Sequence, residues 1–326
     1  MSARFIVCVN ASARDRSFRG ALRRFFALAL IRRALPALAA LLVFALALSL
    51  FIGPGSPKKD VSAKAAAAEA SVGSAVFGLS PPRKSQMVIE PRLLDAEALF
   101  LLVDSVHPLP DSFAPEVYSA AKSLGGSVQL FSTSISLERR TLSALTKLCQ
   151  FARDGGFTTM CLYAGEHTRA VQSGMLYRAE STAGGGCSSH QTGFALDLCA
   201  WELGSLRPGL YMSDAEREIV RCGAKSAGFI EEKCPEGDSR VHLRFVGEEM
   251  AALVWESGLS YEKTLTRLHE TGQASLYENG LLSFTVYAVS ESELEKNGYL
   301  FPVPKGVKRA VYGKDNTGYV IVVCRY

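Results

Sequence analysis

The stretch "SSHQTGFALDL", Ser188 to Leu198, follows a run of three glycines and leads into an apolar segment. Its histidine, His190, and its aspartate, Asp197, lie seven residues apart with Gly193 between them. A chain that turns back at this glycine can bring the two side chains together, and imidazole and carboxylate both bind zinc. The stretch therefore predicts either half of a metal site or a polar loop that enters a buried strand.

A third ligand has to come from elsewhere in the chain, which has five histidines in all. His107 lies in a proline-rich loop and His269 lies outside the predicted core, whereas His242 lies on a predicted strand of that core. His190, Asp197 and His242 therefore form the predicted ligand set. Taken singly, the three residues leave other interpretations open: a hydrogen-bonded loop histidine, a turn or cap aspartate, and a buried core histidine.

The segments on either side of the motif alternate between helical and strand patterns. "ERRTLSALTKLCQFARDGG" has apolar residues at helical spacing and ends at a glycine pair that suits a C-cap. "SDAEREIVRCGAKSAGFI" begins with Ser213 and Glu216 in the spacing of a capping box. "FTTMCLYAG", "GFALDLCAW" and "SRVHLRFVG" predict short strands. We therefore expect an α+β domain over residues 89–272, in which helices pack on a small antiparallel sheet that holds a zinc site. Residues 273–326 predict a small β domain appended to it.

The N-terminal region has a different composition from the rest of the chain. Residues 1–59 carry a net charge of +9 and the remaining residues a net charge of −5, so the basic balance does not indicate nucleic-acid binding. Seven arginines between Arg14 and Arg33 precede the uncharged 19-residue stretch Ala34 to Ile52. This length and this asymmetry predict a cytoplasmic segment at 1–33, a transmembrane helix at 34–52 and an extracytoplasmic remainder. A cleaved signal peptide is the alternative, and residues 53–88 predict a linker.

Four segments, in order, resemble the D-alanyl-D-alanine carboxypeptidases of the VanY type, a family of zinc peptidases. "SSHQTGFALDL" resembles the SxHxxGxAxD signature of that family, and "VHLRFVG" resembles the end of its ExWHxRYVG segment. "LFLLVDSVHPLPDSFAPEV" and "LYAGEHTRAVQ" resemble its LVNxxHPLPxxYxP and SGYRSxxxQ segments. The resemblance covers about Leu99 to Gly247.

The resemblance implies that His190, Asp197 and His242 bind Zn²⁺, and that Gln172 and Ser188 lie near the substrate. The chain departs from the family at two catalytic positions. Ser239 stands where the family has its general-base glutamate, and His167 stands where it has an arginine that stabilises the oxyanion.

A neighbouring carboxylate can replace the missing base, and Asp238 is the first candidate, followed by Glu236 and Glu232. The sequence thus predicts a membrane-anchored zinc carboxypeptidase that acts on the D-alanyl-D-alanine termini of peptidoglycan stem peptides. The alternative is a catalytically degenerate domain that binds or regulates the cell wall. A third interpretation assigns the binding function to the C-terminal β domain.

Overall fold

The computed structural model describes residues 75–178, 181, 183–201, 212–233, 240–278 and 280–326. The predicted cytoplasmic segment, the predicted transmembrane helix and residues 53–74 of the predicted linker lie outside the described residues. None of the described helices is long and apolar enough to span a bilayer. The elements that form the site belong to one compact unit.

The chain alternates between short strands and helices. Its strands are β1 (Ala75–Phe77), β2 (Arg83–Val88), β3 (Tyr118–Ser119), β4 (Gln129–Leu130), β5 (Ser136–Leu137), β6 (Met160–Ala164), β7 (Ala195–Ala200), β8 (Phe229–Glu231), β9 (Val241–Phe245), β10 (Gln273–Glu278), β11 (Leu281–Ser290), β12 (Leu300–Pro304), β13 (Arg309–Lys314) and β14 (Tyr319–Arg325). Its α-helices are α1 (Pro91–Ala96), α2 (Ala120–Leu124), α3 (Arg139–Asp154), α4 (Arg169–Tyr177), α5 (Asp214–Ala227), α6 (Glu248–Ser257), α7 (Tyr261–Thr271) and α8 (Glu291–Lys296). The mixed α+β class and the small antiparallel sheets confirm the predicted fold class at this level.

The first sheet, which we call the site sheet, has the strand order β4-β6-β7-β9-β8. Its neighbouring strands are antiparallel except for β4 and β6, which run parallel. Every residue of the central strand β7 is buried. Strands covered on both faces are normally apolar throughout, and Asp197 is the one charged residue in β7.

Two predicted helices, α3 and α5, pack against each other through their apolar faces. Leu142, Leu145 and Leu148 of α3 are buried, as their spacing predicts. Ser213 and Glu216 form both hydrogen bonds of the predicted capping box at the start of α5. The local sequence therefore determines where these helices occur along the chain.

The second sheet, which we call the C-terminal sheet, has the strand order β1-β10-β11-β14-β13, and β12 pairs separately with β2. Strands β1 and β2 lie within the range 53–88, for which the sequence predicts a linker. β1 pairs antiparallel with β10 and buries Ala75 completely. β2 exposes nearly every side chain. An exposed edge strand needs no apolar pattern, so its polar sequence carries no strand signal.

Candidate metal centre

A single turn of 3-10 helix, Ser189–Thr192, places His190 against the sheet. The turn ends at Gly193, whose φ of 75° lies in the left-handed region that glycine adopts readily. A Cβ atom at this position would come within 2.9 Å of Val117 Cγ1 and 3.2 Å of the Glu138 backbone nitrogen. Glycine is therefore required on both grounds, and the turn leads directly into β7.

Strand pairing places the third residue of the site. In the register of β7 with β9, Asp197 lies directly opposite His242. His242 Nδ1 is 2.8 Å and His190 Nε2 is 3.4 Å from Asp197 Oδ1. The ligand atoms of the three residues all lie within 4.8 Å of one another. The structure thus brings together the three side chains of the predicted ligand set, and this group could hold a metal ion.

Both histidines are oriented as metal ligands usually are. His190 Nδ1 donates to the Gly165 carbonyl at 2.6 Å, which leaves the lone pair of Nε2 facing Asp197. His242 Nε2 lies 3.1 Å from Glu232 Oε2, on the far side of its ring from Asp197. Ligating histidines generally donate their second nitrogen to a carbonyl or carboxylate in this way. Two imidazoles and one carboxylate are also the ligand types of catalytic zinc sites.

The charges within the group are strongly coupled. Burial raises the pKa of Asp197, but the charges and hydrogen bonds of His190 and His242 outweigh it and hold this pKa well below its usual range. Burial lowers the pKa of His242, but hydrogen bonds to Asp197 and Glu232 outweigh it and raise this pKa to about 10. Burial likewise raises the pKa of Glu232, but the hydrogen bond to His242 and the charge of Arg244 outweigh it and lower this pKa to about 2. The lowered pKa values of the two carboxylates and the raised pKa of His242 therefore depend on one another.

His167 and Gln172 lie beside the ligand group. The His167 ring stacks on His190 with centroids 4.6 Å apart, and its Nδ1 is 3.3 Å from Gln172 Oε1. The Gln172 amide nitrogen donates to Ser181 Oγ and to the Ala183 carbonyl, so Oε1 is the atom that accepts from His167. Burial, together with the charge of His190, lowers the pKa of His167 to about 4.

The neutral ring of His167 therefore carries its proton on Nδ1 and presents Nε2 as an acceptor. Donation to an oxyanion, which the sequence comparison predicts for this position, requires the other tautomer or the charged ring. Gln172 is 2 % exposed, and its amide nitrogen is used to hold Ser181 and Ala183. The predicted substrate contact through Gln172 stays a prediction.

The remaining predicted residues are placed only in part. Ser188 is buried directly before the 3-10 turn, where its side chain forms no capping hydrogen bond, and its substrate contact also stays a prediction. Asp238, Ser239 and Glu236 lie outside the described residues. Glu232, the last of the candidate bases, contacts the nitrogen of His242 that points away from Asp197.

Sequence reasoning missed several polar residues around the ligands. Arg240 lies 3.4 Å from Asp197 Oδ2 and covers the Tyr163 ring at 4.7 Å. Arg244 is 1 % exposed and contacts Glu232 Oε1 at 3.4 Å. Burial raises the pKa of Glu166, whose charge interacts with that of His190. The spacing of His242 and Arg244 along β9 could have indicated that Arg244 lies near the site, because residues two apart share a face of a strand.

No family model matches the chain, and no curated protein matches it. Among solved structures, the vancomycin-resistance D,D-dipeptidase VanXYg in complex with a D-Ala-D-Ala phosphinate analogue matches with a TM-score of 0.57 and 18% identity, over 74% of this chain and 99% of that one. The LdcB LD-carboxypeptidase matches with a TM-score of 0.43 and 20% identity, over 56% of this chain and 94% of that one. VanYB in complex with D-alanine-D-alanine matches with a TM-score of 0.39 and 22% identity, over 52% of this chain and 98% of that one.

The match to VanXYg covers nearly all of that protein and is a likeness of fold. The chain therefore has the fold of that vancomycin-resistance peptidase, in agreement with the fold that the four motifs predict.

Proposed function

We propose that this protein is a zinc-dependent carboxypeptidase that acts on the D-alanyl-D-alanine termini of peptidoglycan stem peptides, with zinc held by His190, Asp197 and His242. The observation that carries the proposal is the convergence of two imidazoles and one carboxylate, with both imidazoles oriented by hydrogen bonds on their far sides. Held by these residues, zinc would supply Lewis-acid chemistry, which polarises a scissile carbonyl and activates water near neutral pH. VanXYg, which was solved with a D-Ala-D-Ala phosphinate analogue, supports the substrate class.

Hydrolysis also needs a group that takes a proton from the attacking water and passes one to the leaving amine. Ser239 is chemically unsuited to this, so we propose Asp238 as the base, with Glu236 next. Glu232 is a poor candidate because its carboxylate contacts Nε2 of His242 and points away from the ligand atoms. Glu166 is a further candidate, since it precedes His167 and its raised pKa suits proton transfer.

The experiment uses the full chain in detergent, loaded with zinc, and follows D-alanine release from a stem pentapeptide. We expect Asp238→Asn to lower turnover by at least about 100-fold while the zinc content stays at one per chain. Glu166→Gln is the matched test of the other carboxylate. If Asp238→Asn leaves turnover unchanged, Asp238 is not the base.

A degenerate domain that binds the cell wall is the second candidate, and His167 favours it. The neutral ring presents an acceptor where the family has a charged donor. Because Ser239 also replaces the family's general base, two catalytic functions are altered together. Under this function the wild type releases no D-alanine but retains a stem pentapeptide in equilibrium dialysis. Ser239→Glu separates the candidates, because a gain of activity from an inactive wild type identifies a degenerate member.

We further propose that residues 34–52 anchor the protein in the cytoplasmic membrane, with the peptidase domain outside. The uncharged stretch behind seven arginines supports this topology. Sequencing the N-terminus of the mature protein tests it. A mature chain that begins after residue 53 would contradict the anchor and favour a cleaved signal peptide.

A further inference from the structure

We propose that Glu232 is a positioning residue for the metal ligand His242, and that Arg244 and Ser189 hold its carboxylate in place; this rests on the proposed zinc site. Glu232 directly follows β8, and its backbone nitrogen donates to the His242 carbonyl at 3.1 Å. The pairing of β8 with β9 therefore sets Glu232 beside His242 in the site sheet. The backbone, and not the side-chain rotamer alone, brings the carboxylate to the site.

The contact determines which nitrogen of His242 would be available to bind a metal. Glu232 Oε2 lies 3.1 Å from Nε2 of His242 and accepts a hydrogen bond from the Ser189 hydroxyl at 2.8 Å. An imidazole that donates from Nε2 keeps its lone pair on Nδ1, the nitrogen 2.8 Å from Asp197 Oδ1. The carboxylate thus selects the tautomer that can bind a metal, and its negative charge makes Nδ1 a better ligand.

Arg244 fixes the other carboxylate oxygen. Its guanidinium, which is 1 % exposed, lies 3.4 Å from Glu232 Oε1 and donates to the Leu101 carbonyl. It also covers the ring of Tyr261 at 4.8 Å, and the Tyr261 hydroxyl donates to the Phe100 carbonyl at 2.8 Å. A buried guanidinium is costly without an anionic partner, and Glu232 supplies that partner for Arg244.

The network explains why a carboxylate so close to the ligands is not the base. Both oxygens of Glu232 are engaged, Oε2 by His242 and Ser189 and Oε1 by Arg244. The network also connects a metal ligand on β9 with the segment at residues 100–101, which lies about 140 positions earlier in the chain. Glu232 therefore acts through His242, whose Nε2 it contacts on the side of the ring away from Asp197.

The test measures the zinc affinity of the full chain in detergent by competition with a chromophoric chelator. Glu232→Gln keeps the shape of the side chain and removes its charge, and we expect zinc to bind about 10- to 100-fold more weakly. Glu231→Gln is the matched control: the neighbouring carboxylate pairs with Arg221 on the surface, so the affinity should not change. The cobalt-substituted Glu232→Gln protein should show a shifted visible ligand-field spectrum, which a loss of stability alone would not cause.

A second variant keeps the charge and tests the position. Glu232→Asp withdraws the carboxylate from Nε2 by one methylene, and we expect weaker zinc binding here as well. Wild-type affinity and an unchanged cobalt spectrum in both variants would overturn the inference. A wild type that binds no zinc would instead contradict the proposed function, so the two failures are distinguishable.

Discussion

The site sheet and the C-terminal sheet are both five-stranded, but their central strands bury different kinds of side chain. β7 and β9 carry Asp197, His242 and Arg244 in buried or nearly buried positions. β14 buries a continuous run of five apolar residues, from Val320 to Cys324. Burying polar groups is costly unless each finds a partner. The site sheet therefore needs the network of hydrogen bonds around Asp197, His242 and Arg244. Strand β14 of the C-terminal sheet buries apolar side chains, which need no such partners.

The largest effect should follow from removing a ligand of the site sheet. We expect His242→Ala to reduce the zinc content of the full chain well below one ion per chain, because two protein ligands remain of the three. Elemental analysis after dialysis measures this. A variant that keeps stoichiometric zinc would show that the ligand set is wrong. It would also show that the zinc content does not depend on His242 of the site sheet.

The C-terminal sheet should respond to substitution in stability and not in metal content. Ile321 is fully buried in β14, opposite Ala288 of β11. We expect Ile321→Ala to lower the free energy of unfolding by about 2–5 kcal/mol through lost burial and a cavity. Urea unfolding measures the change, and the zinc content serves as the control. A loss of zinc in the folded variant would contradict the separation of the two sheets.

One buried polar cluster lies beside the C-terminal sheet. Asp315 is fully buried, accepts hydrogen bonds from Thr317 and Tyr319, and lies 2.6 Å from His269 Nε2. The His269 ring stacks on Tyr319 at 3.9 Å. Within the part of the chain that the structure describes, no third metal-ligand side chain converges on this histidine and aspartate as it does at His190. We therefore interpret the pair as structural.

We expect His269→Ala to lower the free energy of unfolding by about 1–3 kcal/mol, because it leaves a buried carboxylate oxygen without its partner. Thermal unfolding of the zinc-loaded chain measures the change, with Thr266→Ala on the exposed face of α7 as the control. Weaker zinc binding in His269→Ala would show that the cluster also serves the site sheet.

The smallest effect should come from the surface of the site sheet. Arg221 of α5 and Glu231 of β8 form an ion pair at 2.7 Å, in which the arginine side chain is 46% exposed. Solvent screens such pairs, so Arg221→Ala should change the free energy of unfolding by only about 0.2–1 kcal/mol. A larger loss, measured by urea unfolding, would show that the edge of the site sheet depends on this pair.

Local patterns in the sequence determined much of the fold and the identity of the ligand group. Helical spacing predicts α3, the capping box predicts the start of α5, and the turn at Gly193 with the motif around it predicts that His190 and Asp197 converge. These features depend on residues a few positions apart, where backbone geometry is set by the local sequence. The position of His242 required the family resemblance or elimination, because strand pairing joins residues 45 positions apart.

Only the tertiary structure decided what surrounds the ligands. It recruits the polar strand β2 beside β12, uses the Gln172 amide to place the proton of His167 on Nδ1, and sets the Glu232 carboxylate against Nε2 of His242. Each of these depends on contacts between distant segments, such as that of Arg244 with the Leu101 carbonyl. The sequence determines which groups the chain possesses, and packing determines which atom of each group faces the site, because side-chain orientation follows from partners that no local pattern encodes.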